Sequence, residues 1–501
     1  MFGLAEIHSK RNCIACHIPV GKMRDVRRRL PLLAAAVCLT FPNATPREKH
    51  SGRGRVVLSH EALAEPPVLA NTSRLPHTVE VSLTAAPGRL SLVPGTTSAV
   101  FAYNGRVPGP TLDVHEGDHV IVHFRNSLPE PTTVHWHGLH IPASADGSPL
   151  DPVMPGQQHD YVFDIAPGTA GTYWYHPHPD RRAGYQVAMG LFGAIIVRAQ
   201  DDPLPASISE KLLILSDNRF RADGAADFPD VHSAQAEVDA ENGREGNLLF
   251  VDGQLAPTVD IRAGEVQRWR IINASAARIY RLAIPGQELL ELGHGAGLFE
   301  KPVPRREVLL ANSQRVELLV RGAGVPGGAV PLQTLPYDRY DPHTRPADWN
   351  ETHDLLSLRT SGVASAPTVQ IPGTLRAVPA LDTAHVAEHR VLVLTQGMIN
   401  GKMMDLGRVD FTARLRTTEI WEIENLVGMD HPFHLHGFRF QVLDRDGVPE
   451  PFPYWLDTVN VPSHSSVRII VRFDDFPGKW MYHCHILDHE DMGMMGILQL
   501  Q

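Results

Sequence analysis

Twelve residues in four short segments carry ligand chemistry: His135 and His137, His176 and His178, His431 with His434 and His436, and a closing loop with His483, Cys484, His485, His489 and Met494. Four H-x-H pairs lie among them. On an extended strand, residues i and i+2 share a face about 6.5–7 Å apart, too far for one ion but suited to two neighbouring ones. Each pair is therefore expected to bridge a metal cluster. Two pairs come early in the chain and two late, which places the cluster between the first and the last domain. Alternation along His483-Cys484-His485 turns the cysteine to the opposite face, toward a separate ion that can also take His431 and His489. A thiolate, two imidazoles and a distant thioether form a blue-copper electron-transfer site. A single H-x-H pair would be weak, because an alternating face can carry two histidines for solvation alone. His115 and His119 show histidine used without any ligand pattern.

The elements that must hold these residues are strands. From about residue 75 the chain runs in short alternating segments broken by Gly, Pro and Asn, such as Val120-Ile121-Val122-His123-Phe124 and Gly193-Ala194-Ile195-Ile196-Val197. No long helical periodicity competes, so the class is all-β, sandwich or barrel, with few short helices. An internal repeat divides it. Asn104-Gly105 precedes Pro110-Thr111, Glu116-Gly117-Asp118 and Arg125-Asn126; Asp252-Gly253 precedes Pro257-Thr258, Ala263-Gly264-Glu265 and Ile272-Asn273; Asn400-Gly401 precedes Thr418-Glu419 and Asn425. The starts are about 150 residues apart, one domain length each. Three consecutive β domains are expected, over 75–200, 205–362 and 375–501, with joins at Asp201–Pro205 and Ser361–Pro379. The middle domain has no ligand cluster and is expected to space and brace the other two.

At 501 residues with 43% apolar and 20% charged residues, the chain has an ordinary globular composition, without an apolar run that would insert it stably in a membrane. A net charge of −10 argues against nucleic acid as a partner. Residues 23–44 read as an export signal: a basic Met23–Arg29 run, an apolar Leu30–Phe41 core and small residues at Pro42-Asn43-Ala44. Met23 is the expected start, 1–22 a doubtful extension, 45–74 a linker, and the destination periplasmic or extracellular. Cys13-Ile14-Ala15-Cys16-His17 matches the pattern for covalent haem attachment. No haem is expected, because no domain to enclose it fits before the apolar core. Cys484 is then the one thiol of the mature chain, with no partner for a disulfide.

Over residues 75–501 the four segments resemble the three-domain multicopper oxidases: laccases, bilirubin oxidases and bacterial copper-efflux oxidases. The resemblance implies cupredoxin-like Greek-key domains and four copper ions. His431, Cys484 and His489 with axial Met494 would hold the type 1 copper, and His135 and His434 the type 2 copper. His137, His176 and His485 would hold one type 3 copper; His178, His436 and His483 would hold the other. Glu490 and Asp146 match acidic positions that such oxidases use near the oxygen site. The implied reaction is one-electron oxidation of a phenolic or metal-ion donor coupled to reduction of O2 to water. Twelve methionines without a rich insert before His431 favour a laccase-like donor over cuprous ion. Asp430 could receive a phenol's proton, steer a cation or cap a loop. A non-catalytic copper-binding scaffold is the alternative class, and copper nitrite reductase would need fewer H-x-H pairs. Because both halves of the cluster lie in one chain, a monomer is expected.

Overall fold

The structure, a computed structural model, describes residues 61–322, 326–346, 348–362 and 369–501. Cys13, Cys16 and His17, the signal at 23–44 and part of the Ser361–Pro379 join lie outside these residues. Among the described residues there are thirty-one strands in six sheets and only three short α-helices, α1 (Ala183–Ala188), α2 (Ala234–Asn242) and α3 (Leu487–Met492). None is long and apolar enough to cross a membrane.

The sheets stack in three pairs. In the first, Thr78–Leu90 runs parallel to His119–Asn126 in a four-stranded sheet, facing another that contains His135–His137 and Gly171–His176. The second pairs seven strands with five, and the third six with five. Each pair encloses its own apolar core, around Trp136 and Phe124, Trp269 and Leu318, and Trp421 and Phe433 respectively. Another apolar cluster, with Trp174, Ile214 and Leu487, packs between the pairs.

The repeat in sequence is a repeat in hydrogen bonding. Asn104, Asp252 and Asn400 all have positive φ and precede a positive-φ glycine, the backbone that a tight two-residue turn between strands demands. Asn126, Asn273 and Asn425, all buried, make the same loop clamp. Each side-chain oxygen accepts from the amide two residues on, at Leu128, Ser275 and Val427, and each Nδ2 donates to the carbonyl of Glu130, Arg278 or Met429. The opening strand of each repeat also pairs parallel with the strand that carries this asparagine.

Asp252 breaks the pattern in one atom. Asn104 and Asn400 accept from Thr84 N and Val393 N and donate through Nδ2 to Ser82 O and Val391 O. Asp252 accepts from Ile214 N at 2.8 Å, but its Oδ2 has no partner where an amide would donate. Burial pushes its carboxyl well above the usual range. A group raised in this way stabilises the fold as the neutral acid, and that contribution is lost as pH rises from the unfolded toward the folded pKa. Asp252→Asn is expected to raise stability at neutral pH by about 1–3 kcal/mol. The gain should shrink below about pH 4, where aspartate protonates anyway. Thermal melts of both proteins across that range check this, and an Asn variant that melts lower at neutral pH would rule it out.

Residues 61–74 depart from the linker expected over 45–74. Leu63 N donates to Thr258 O and Thr258 N to Glu61 O, while Leu69 N donates to Thr111 O and Thr111 N to Pro67 O. The segment thus straps an edge of the second sheet pair to an edge of the first. It lacks strand alternation because it touches each edge at a single bridge.

Candidate metal centre

Strand alternation sorts the ligand-type side chains. His135 lies opposite His176 in antiparallel pairing, while Trp136 between the two histidines turns into the first core. In the third sheet pair His434 lies opposite His483, and Phe433 opposite Cys484 faces that core. All eight H-x-H imidazoles are buried and meet between the first and third sheet pairs. Ring centroids come within 3.9 Å for His135–His436 and for His137–His434. His178 Nε2 and His436 Nε2 lie 3.3 and 3.0 Å from His483 Nε2. Within the pairs the rings stand 5.0 to 6.1 Å apart. His178, His436 and His483 could hold one ion, and His135 could share others with His137 and His176 or with His434 and His436. His485 lies 4.9 Å from His137 and 5.3 Å from His176, ring to ring.

The fit to metal is tested by where the protons must be. Carbonyl and carboxylate oxygens only accept, so a ring nitrogen against one carries the hydrogen and the other nitrogen keeps its lone pair. The Nδ1 atoms of His135, His176, His434 and His483 face the carbonyls of Asp146, Pro177, Asp457 and Cys484 at 2.7 to 3.0 Å. His436 Nδ1 faces Asp146 Oδ2 at 2.8 Å. Their Nε2 lone pairs therefore point inward, and those of His135, His176 and His434 have no hydrogen-bond partner. His137 is reversed: its Nε2 faces Asp457 Oδ1 at 3.1 Å and its Nδ1 is the unpartnered atom. Burial, reinforced by neighbouring rings, pushes His137, His176, His178, His434, His436 and His485 well below the usual histidine pKa, and His483 to about 3. Neutral imidazoles with converging lone pairs are ligands in waiting. His137, His434 and Asp457 also come close enough to share an ion. His137 Nε2 is already bonded to Asp457 Oδ1, His434 Nδ1 to the Asp457 carbonyl, and the Asp457 carboxylate to Arg315, which makes that group a support.

A second donor set lies inside the third sheet pair. His431 Nδ1 and His489 Nδ1 stand 3.4 and 3.6 Å from Cys484 Sγ. Burial pushes the thiol up to about 12, so a thiolate here requires a cation beside it. The turn of α3 places His489, and Gly493 in the left-handed region ends the helix before Met494. Met494 is buried in the core that holds Cys484, and its carbonyl accepts from Cys484 N at 3.1 Å. Met492 stays in α3, and Met495 pairs opposite His483. On the outer side, His489 Nε2 donates to Glu241 O at 2.8 Å at the end of α2. Helix α2, which connects two strands of the second sheet pair, thus roofs this centre.

The acids differ in setting. Glu490 is buried, with one oxygen 3.3 Å from His178 Nδ1 and the other 3.3 Å from His483 Nδ1, and neither makes a hydrogen bond. Asp146 holds His436 through its carboxylate and His135 through its carbonyl. Asp430 is turned inward, accepting from Tyr337 Oη at 2.6 Å, Asn460 Nδ2 at 2.7 Å and Ser463 N at 3.0 Å. That is a loop cap, with both oxygens engaged inside the protein. Of the other histidines, His140 joins Gly437 O to Asp475 and His294 joins Glu291 to Gln314. Sequence reasoning passed over Asp457, Thr458 and Arg315. The available signals were an aspartate opening the strand segment Thr458-Val459-Asn460-Val461 and an arginine opening the apolar strand Arg315–Arg321.

Two family models described as multicopper oxidase match, over residues 84–202 and 376–500. A multicopper oxidase of Staphylococcus aureus is 31% identical, over 84% of this chain and 88% of its own length. The solved structure of a multicopper oxidase from Campylobacter jejuni, described as a metallo-oxidase, superposes with a TM-score of 0.79 at 33% identity, covering 88% of this chain and 95% of that one. The cell division protein FtsP of Photorhabdus laumondii is 28% identical, over 80% of this chain and 85% of its own.

Proposed function

The chain belongs to the multicopper oxidase family of copper-dependent oxidoreductases, and from that premise we propose that it is a laccase-like oxidase taking single electrons from a phenolic or other aromatic donor and reducing O2 to water. The observation that carries this is the complete donor set: ten buried histidines and Cys484, with lone pairs converging on two separate centres. A protein that served only as a non-catalytic scaffold has no use for such a set. Copper bound there would supply the one-electron chemistry, at the thiolate centre for the donor and at a three-copper cluster for O2.

In this reading His431, Cys484, His489 and Met494 hold the type 1 copper, and His135 and His434 the type 2 copper. His137, His176 and His485 hold one type 3 copper; His178, His436 and His483 hold the other. Cys484 lies covalently between His483 and His485, so the two centres are joined through bonds. Glu490 faces the outer nitrogens of two cluster histidines from inside the protein and can deliver protons there. Asp146 keeps the protons of His135 and His436 on the outer side. The three sheet pairs support domains over 75–200, 205–362 and 375–501, with the middle one roofing the thiolate centre. One chain closes both halves of the cluster, which supports a monomer, and the segment 23–44 supports a periplasmic or extracellular location.

The metal-ion alternative rests on the likeness to a metallo-oxidase. Copper-loaded protein is expected to hold four coppers per chain, to be intensely blue and to consume O2 with a phenolic dye. Steady-state kinetics with a phenol, bilirubin and cuprous ion separate the donors. A kcat/KM for cuprous ion above that for every aromatic donor would overturn the laccase-like reading, and a blue protein inert to O2 would overturn the oxidase itself.

A further inference from the structure

The second sheet pair supplies no ligand, yet it reaches the cluster through residues 313–315. Arg315 is buried and grips Asp457 with two nitrogens, Nη1 to Oδ1 at 2.8 Å and Nη2 to Oδ2 at 2.5 Å, while its Nε donates to Thr172 O at 3.0 Å. Ser313 Oγ donates to Thr458 Oγ1 at 2.9 Å, and Gln314 Nε2 to Thr458 O at 3.0 Å. Arg315 thus ties all three sheet pairs at one point. Asp457 Oδ1 and Thr458 Oγ1 in turn face His137 Nε2, at 3.1 and 3.2 Å. The single hydroxyl proton of Thr458 goes to Asp457 Oδ1 at 3.1 Å, which leaves both oxygens as acceptors toward the ring.

We propose that Arg315 is a positioning residue for the oxygen site: it holds Asp457 and Thr458 as paired acceptors that fix His137 with its proton on Nε2 and its Nδ1 lone pair toward the cluster. This rests on the oxidase reading above. His137 is the ring that needs such a device, since it is reversed relative to His135, His176, His434, His436 and His483. A buried carboxylate without a counter-charge is strongly disfavoured, and the guanidinium fork both offsets that penalty and sets the carboxylate's angle. An independent feature agrees. Gly138, next to His137, has φ +85°, and a Cβ there would come within 2.6 Å of Asp457 Oδ2 and 2.9 Å of Arg315 Nη2. The glycine of His-Trp-His-Gly is what lets the pair stand against the ligand strand.

The test uses the full chain loaded with copper. None of the thiolate-centre ligands contacts Arg315, so the blue band per chain is an internal control for folding. Arg315→Met is expected to keep the blue band while its cluster copper is lost to a chelator about 10–100-fold more readily, with an altered electron paramagnetic resonance signature. If Arg315→Met loses its blue band as well, Ser313→Ala, which deletes one hydrogen bond, decides: an altered cluster signature with full blue intensity supports the proposal. Cluster signature and copper retention unchanged in the variant that folds would overturn it. A wild-type chain that binds no copper would overturn the oxidase reading and this proposal with it, whereas unchanged variants overturn this proposal alone.

Discussion

Cys484→Ser is expected to give a colourless protein that still binds copper at the cluster and has lost essentially all O2 consumption with aromatic donors. The sulfur is buried 3.4 and 3.6 Å from the two Nδ1 atoms of its centre. A serine hydroxyl is a harder donor that does not ionise in such surroundings, so the soft thiolate is lost along with the route it provides. His483 and His485 remain on their strand, and the cluster nitrogens keep their positions. Copper counts, the absorption spectrum and an oxygen electrode read the three parts separately. A variant that stays blue, or that turns over at more than a small fraction of the wild-type rate, would show that Cys484 is not the electron port.

Glu490→Gln is expected to leave the blue colour intact and slow O2 reduction on the order of 10²-fold, the low end of what a positioned proton donor contributes. Burial and the nearby Asp491 raise the Glu490 carboxyl well above its usual pKa. Its two oxygens lie 3.3 Å from His178 Nδ1 and His483 Nδ1, where a carboxyl can pass a proton toward the cluster, and glutamine keeps the shape but cannot release one. Single-turnover reoxidation by O2 is the measurement, with reduction by the donor as the internal reference. Equal slowing of both steps, or of neither, would sink the assignment.

The ligand residues were legible because alternation is a strict rule: once His135–His137 and Gly478–Cys484 are strands, the faces of His137 and Cys484 follow. The threefold repeat was legible for a similar reason, since Asn126, Asn273 and Asn425 meet the same local demand three times. Glu490 and Asp146 came from resemblance, because an acid in a loop carries no sign of its burial. Arg315 and Asp457 were out of reach, as they are 142 positions apart and meet only through the packing of two sheet pairs. The roof over His489 was hidden likewise, its acceptor being a backbone carbonyl 248 positions away. The strap at 61–74 was missed because a segment held by isolated bridges needs no periodic pattern.

His178 and His483, which meet from the two halves of the cluster, are 305 positions apart. Between them the chain must complete an entire sheet pair that contributes no ligand and then most of another. A nascent or nicked molecule can carry His135 to His178 and still lack the half of the cluster that His434, His436, His483 and His485 supply. Tight cluster occupancy is therefore a late event in the life of each molecule, reached after long-range packing is done, and it distinguishes finished copies from partial ones.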